Sequence, residues 1–284
     1  MSNGYSPKVG VTYNLYNERS RADYQKLARK IDFIEIKNLE INLLQSKKDI
    51  LSKFPISMHV QYLSKQEKPT TLNLVSEETK EIISDENSDL YRAFDFLNPF
   101  VVSFHLGFSS KIIGTKGIDN HNYAVGEVLS EEEVFESITE SLNIISKMLR
   151  RRGYDGEILI ENLDYHPTGA YEYVCKPEFI SKITGKTDCK VLLDLAHTII
   201  SAHAFEMNVI DFIENIGIDL IYEVHVNSPL HKDGKWYDIN EPFYYYEAGK
   251  EILEYLIERN NAILLNIECE KEVAEQIEIL TEMV

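Results

Sequence analysis

Eight short apolar runs, each followed by a stretch patterned for a helix or a long connection, set the main constraint on how this chain can fold. They are KVGVTYN (8–14), DFIEIK (32–37), PISMHV (55–60), FVVSFHL (100–106), EILIENL (157–163), KVLLDLAH (190–197), LIYEVHVN (220–227) and AILLNIEC (262–269). Runs of this length read as strands, and their alternation with helices predicts a parallel sheet joined by right-handed crossovers. Eight such units predict a (β/α)8 TIM barrel. The 284 residues show no linker or composition break and are read as one domain, 1–284. In SEEEVFESITESLNIISKMLRRRG, Ser130 and Glu133 make a capping box, and Val134, Ile138, Leu142, Ile145 and Leu149 share one face. Arg150, Arg151 and Arg152 then complement the helix dipole before Gly153 ends the helix, so this triple Arg reads as a helix end rather than an anion site.

Charge and cysteine content narrow the chemistry. Lys and Arg total 29 against 47 Asp and Glu, a net charge of −18, which repels polyphosphate and predicts no nucleic-acid partner. No apolar run approaches the ~18 residues that span a bilayer, and MSNGYSPKVG lacks the basic-then-apolar order of a signal peptide. The expectation is a cytoplasmic protein with no membrane partner. Cys175, Cys189 and Cys269 are far apart, with no CxxC spacing, so any metal must be held by nitrogen and oxygen.

The strand ends carry the functional signal. Strand three ends near His59, strand four near His105, strand five near Glu161, and strand six near Asp194 and His197. Strand seven ends near His225 and strand eight near Glu268. In a barrel these positions converge on the C-terminal mouth. A lone strand histidine is usually a satisfied core residue, and Asp194 could simply cap a following helix. Six successive strands bringing such groups to one level is harder to explain that way. Clustered carboxylates would have to take up protons unless cations lay between them, and mixed His/carboxylate sets suit Fe, Zn or Mn better than Mg or Ca. Residues three apart on an ideal strand face opposite sides, so His197 reaches the mouth beside Asp194 only if the chain turns at Leu195 and Ala196. Glu223 and His225 share a face, and Asn227, two further on, faces the mouth as a group for substrate or metal-bound water. Glu35 is a candidate either to orient a ligand histidine or to pair with Lys37. Two long connections, 107–130 and 228–247, follow strand C-terminal ends and read either as substrate covers or as packed excursions. The second contains Trp236, His231 and PFYYYE (242–247), which could wall a pocket or simply pack.

ILIENLDYHPTGAYEYVCKPEFISKITGKTDCKVLLDLAHTIISAH resembles the segment of the multinuclear non-haem iron-dependent oxidative enzymes in which a Glu-Asn strand end precedes LLD. That family includes the oxidases of methanobactin biosynthesis. FVVSFHLGFS, YEVHVNSP, the DGKWYD stretch and LLNIE are similar in order and spacing, so the resemblance covers about residues 30–270. More broadly the set resembles the xylose-isomerase-like barrels, which include endonuclease-IV-type enzymes and ketose epimerases. The resemblance implies one metal on His59, His105 and Glu161, with Glu161 bridging to a second on Asp194, His225 and Glu268. It implies a third on His197 and Asp238, where Asn240 stands in place of the family's histidine and His231 is a candidate substitute.

The expected cofactors are therefore two or three divalent ions, iron first and zinc or manganese next. The expected reaction is oxidative modification of a small or peptidic substrate, with a substrate-delivering protein as a candidate partner and Glu161, Glu268 and Asn227 as catalytic candidates. A sugar isomerase or epimerase using Glu161, Asp194, His225 and Glu268 is the alternative, but it leaves His59 and His105 without a role. Phosphodiester cleavage ranks lower because of the −18 charge, as does a degenerate, non-catalytic barrel, because the candidate ligands persist on six strands.

Overall fold

The computed structural model describes residues 6–16, 29–65, 68–116, 121–260 and 263–284. Eight parallel strands close into a barrel: β1 (Lys8–Thr12), β2 (Phe33–Ile36), β3 (Ile56–Val60), β4 (Val101–His105), β5 (Glu157–Glu161), β6 (Lys190–Asp194), β7 (Ile221–Val226) and β8 (Leu264–Ile267). Their order around the barrel is their order along the chain, and β1 closes the ring by pairing with both β2 and β8. This is the (β/α)8 TIM barrel that the alternation predicts. Most ladders stop one to three residues short of the apolar runs, because the chain leaves the sheet at the mouth to position side chains there. Residues 1–5, read above for a signal peptide, and residue 262 of the eighth run lie outside the described residues. Among the described residues no helix is long and apolar enough to cross a membrane.

Period-two alternation sorts the barrel interior into levels. Phe33, Val101, Leu159, Leu192 and Leu264 form a separate apolar cluster that plugs the lower barrel. Two residues further along the same strands stand Glu35, Ser103, Glu161, Asp194 and Asn266, all buried. The interior thus changes from hydrocarbon to polar within one pleat. The plug depends on Gly10 of β1. A Cβ placed there would lie 2.4 Å from the Phe33 ring, so the ring occupies space that any side chain at position 10 would need.

The outer helices follow their sequence patterns. The helix Glu131–Arg151 carries the predicted capping box, with the Glu133 carboxylate accepting from the Ser130 backbone N–H at 2.9 Å. The Arg150 guanidinium donates to the carbonyls of Tyr154 and Gly156, both at 2.9 Å, and that of Arg152 donates to Asp95 at 2.7 Å. Arg150 and Arg152 of the triple Arg therefore have structural partners at the helix end.

Three antiparallel hairpins follow strands at the mouth: Tyr62–Lys65 with Lys68–Thr71 after β3, Ile113–Lys116 with His121–Ala124 after β4, and Ser228–Lys232 with Lys235–Glu241 after β7. The last two lie in the long connections noted above, while the first is not anticipated by the sequence reading. Gly10→Ala should destabilise the protein by about 1–3 kcal/mol through overpacking against Phe33. In Gly10→Ala/Phe33→Leu the two changes should compensate in part, so that the losses measured by denaturant unfolding are less than additive.

Candidate metal centre

Three histidines at the mouth, His59, His225 and His197, are each held by one ring nitrogen and present the other. On β3, His59 Nδ1 lies 2.8 Å from Ser103 Oγ of β4, which leaves Nε2 facing the barrel axis. On β7, His225 Nε2 lies 2.7 Å from Glu35 Oε2 of β2. The carboxylate accepts that proton, so Nδ1 turns to the opposite side. His197 Nδ1 lies 2.8 Å from the Asn162 carbonyl. A carbonyl can only accept, so Nδ1 carries the hydrogen and Nε2 faces Asp238 Oδ2 at 3.2 Å. This is the outer hydrogen bonding that orients metal-binding imidazoles.

The presented atoms of His59 and His225, with His105 Nε2, converge on Glu161. Its Oε2 lies 2.7 Å from His105 Nε2 and 3.3 Å from His59 Nε2, while its Oε1 lies 3.1 Å from His225 Nδ1. His225 Nδ1 is also 3.2 Å from Glu268 Oε2 and 3.5 Å from Asp194 Oδ2. Despite these short separations, His59 Nε2, His105 Nε2, His225 Nδ1 and Glu161 Oε2 are buried without a hydrogen-bond partner. Unpartnered buried polar atoms are rare and costly, and four facing one another suit a shared cation. Among the described residues, His59, His105 and Glu161 have ligand atoms close enough to share an ion, as do Asp194, His225 and Glu268. Glu161, Asp194 and His197 form a third such group, and Glu35, His59 and His225 a fourth.

Electrostatics put His59 and Glu161 in the protonation states of ligands, while His225 and Asp194 favour a proton that an ion would displace. Burial pushes His59 down to about 4, so it is neutral and its lone pair is available near neutral pH. Burial opposes charge on Glu161, yet His105 and His59 hold its carboxyl well below the usual range. Burial likewise opposes a proton on His225, but Glu35 and Glu268 keep its affinity for one well above normal. Burial pushes Asp194 up to about 6, against the pull of His197. Glu35 is drawn down to about 2 despite burial, by His225 and then Lys37.

His59, His105, Glu161, Asp194, His197, His225, Asp238 and Glu268 lie in one cluster, in somewhat different roles, and His231 does not join them. β6 ends at Asp194 and a helix (Leu195–Ala204) starts on the next residue, with no irregular turn at Leu195 and Ala196. Asp194 Oδ1 caps that helix by accepting from the His197 N–H at 2.8 Å, and Oδ2 remains directed at His225 and Asn227. The capping and ligand readings of Asp194 are thus compatible. Asn227 Nδ2 faces Asp194 Oδ2 at 2.9 Å, Glu268 Oε2 at 3.1 Å and Asn240 Oδ1 at 2.8 Å, and Oδ1 accepts from the Ala196 N–H at 2.9 Å. Its amide binds protein groups on both sides. Asn240 is turned toward Asn227. His231 packs on Trp236, with ring centroids 4.4 Å apart, and His203 stacks on that indole at 4.6 Å. In PFYYYE, Phe243 is core and Tyr244 and Tyr245 donate to Glu272, so the pocket wall comes instead from Tyr237. Sequence reading missed Lys37 as a site group in its own right, although its position two residues after Glu35 places it on the same face. The three cysteines are free and buried.

Two clefts open above the cluster. One of about 750 Å3 is lined by His105, Asp164, His197, Tyr237 and Asp238 among others. The other, of about 480 Å3, is lined by Lys37, Glu268, Asn240 and Lys271 among others. They share Gln61, Tyr62 and Ile239 as a common boundary.

A family model described as RiPP precursor modification enzyme MbnB/TglH/ChrH matches residues 16–284. The chain belongs to this family. A UPF0276 protein of Vibrio parahaemolyticus is 26% identical over 160 residues, covering 53% of this chain and 50% of that protein. The chain spans about half the length of the curated relatives it matches (50% and 60% for two of them). Among solved structures, endonuclease IV from Thermus thermophilus has a TM-score of 0.59 at 15% identity, covering 98% of both chains. D-psicose 3-epimerase from Clostridium cellulolyticum has a TM-score of 0.55 at 15% identity, covering 96% of this chain and 89% of that one. These two likenesses show the fold alone, a barrel that the MbnB/TglH/ChrH chain shares with enzymes of unrelated reactions.

Glu223, on the inward face of β7 below His225, has one oxygen 3.2 Å from Ser57 Oγ and the other without a partner. Burial, and then Glu35, raise its pKa from 4.5 to about 8. The folded state therefore holds a proton that the unfolded chain has released, and this contribution to stability falls as pH rises from 4.5 to about 8. Glu223→Gln should remove that loss, so that the melting temperature of metal-free protein declines less across this window than in the wild type.

Proposed function

We propose that the chain is a metal-dependent enzyme that oxidatively modifies a peptide, using two divalent ions with iron favoured over zinc or manganese. The observation that carries this reading is the set of buried, unbonded atoms of His59, His105, His225 and Glu161 that face one another. In this reading His59, His105 and Glu161 Oε2 hold one ion. Glu161 Oε1, Asp194, His225 and Glu268 hold the other. His197 and Asp238 form a third and weaker group, because Asn240 is engaged with Asn227. When bound, iron would supply the capacity to bind dioxygen and accept electrons from the substrate.

The chain's own residues do the rest. Glu35 and Ser103 fix the rings of His225 and His59, and Asn227 ties Asp194 to Glu268, so of the three catalytic candidates Asn227 acts by positioning. The paired clefts suit an extended segment lying across the mouth rather than a compact sugar, and Tyr62 and Ile239, 54% and 47% exposed, offer apolar contact where the clefts meet. The family description supports a peptide as the substrate, and the reading extends to a partner protein that presents it.

A one-metal epimerase would use Glu161, Asp194, His225 and Glu268, which do converge, but it leaves the unbonded Nε2 atoms of His59 and His105 without a purpose. Phosphodiester cleavage finds little support, because no described residue lining the larger cleft is Lys or Arg. Anaerobic reconstitution should load about two irons per chain, and the loaded protein should consume dioxygen with a cysteine-containing peptide. Glu161→Ala should lower metal content and reduce turnover roughly 100-fold or more. Unchanged metal content and turnover in that variant, or substrate C–H exchange with solvent deuterium in place of oxidation, would overturn the proposal.

A further inference from the structure

Lys37 brings a largely buried cation to the mouth, against two carboxylates. It lies just beyond the end of β2, two residues after Glu35, and its side chain is 18% exposed. Its Nζ contacts Glu268 Oε1 and lies 3.8 Å from Glu35 Oε1. Glu268 follows β8, and β1 stands between β2 and β8 in the barrel, so the pair spans a strand that neither residue belongs to. Burying an ammonium costs free energy unless it is paired, and an apolar residue would fill the same space without that cost. The pair divides the Glu268 carboxylate. Oε1 is bound to Lys37, and Oε2 is the atom directed at His225 Nδ1 and Asn227 Nδ2.

We infer that Lys37 is a positioning residue that makes Glu268 a single-atom ligand. The inference rests on the metal-binding reading above and extends it to ligand count. A carboxylate with both oxygens available can bind a cation through both. An ammonium fixed on one oxygen prevents this and limits the protein's contribution at the second group to four atoms: Glu161 Oε1, Asp194 Oδ2, His225 Nδ1 and Glu268 Oε2. Iron, the favoured ion, accepts more ligands than four, so the remaining capacity stays with small molecules or substrate. The smaller cleft, lined by both Lys37 and Glu268, is the side from which they would arrive.

Cobalt(II) serves as the probe, because its visible absorption reports coordination number, and azide serves as the exogenous ligand. Wild-type protein loaded with Co2+ should show azide-dependent spectral changes. Lys37→Met, with unaltered circular dichroism, should show weaker visible bands and azide affinity reduced roughly tenfold or more, as outer-sphere changes commonly produce. Lys37→Arg, which keeps a cation on Oε1, should restore most of the wild-type response. In a Glu268→Gln background, Lys37→Met should have little further effect. Matching spectra and azide affinities in wild type and Lys37→Met would overturn this inference while leaving the metal reading intact. Failure of the wild type to bind Co2+ at all would overturn the metal reading itself. Should Lys37→Met misfold, Lys37→Leu provides the same comparison with a neutral side chain that cannot donate to the carboxylate.

Discussion

The mouth of this barrel is organised around one buried carboxylate facing three imidazoles. Glu161 directs one oxygen at His59 and His105 and the other at His225, with no water-exposed route for its charge. Such a carboxylate must be paired with cations or protonated. Here two of the three opposing imidazoles, His59 and His225, are themselves held in place from behind by Ser103 and Glu35. These two donors are thus fixed before any ion arrives, which lowers the cost of assembling a site.

The same pleat that builds the site also separates it from the core. Phe33 against Gly10, with Val101, Leu159, Leu192 and Leu264, supplies an apolar base directly beneath polar groups. Charges therefore sit above hydrocarbon and below solvent, where electrostatic pairings are strong but substrate can still approach. The barrel tolerates this arrangement because the strand ladders satisfy the backbone independently of what the mouth contains.

Much of this was legible in the amino-acid sequence, for a specific physical reason. Each barrel strand is buried on both faces, so an ionisable residue at its end stands out against a continuous apolar run. That signal exposes His59, His105, Glu161, His225 and Glu268, and the family resemblance orders them into groups. What stayed hidden depends on contacts distant in sequence. The reach of Lys37 to Glu268 crosses 231 residues. The hairpin Tyr62–Thr71 has no apolar alternation strong enough to announce it. His231 shares a connection with Asp238, but the hairpin register faces it toward Trp236. The start of a helix at Leu195, immediately after the strand, resolves how Asp194 and His197 can share a mouth although they are three residues apart.

In the proposed site Glu161 joins two metal-binding groups through its two oxygens. Electron paramagnetic resonance of protein titrated with Mn2+ tests this most directly, because two ions sharing one carboxylate are close enough to couple their spins. The structure predicts a broadened, exchange-coupled spectrum that is lost in Glu161→Gln. An isolated Mn2+ signal that merely grows with added metal, and is the same in both proteins, would contradict the account.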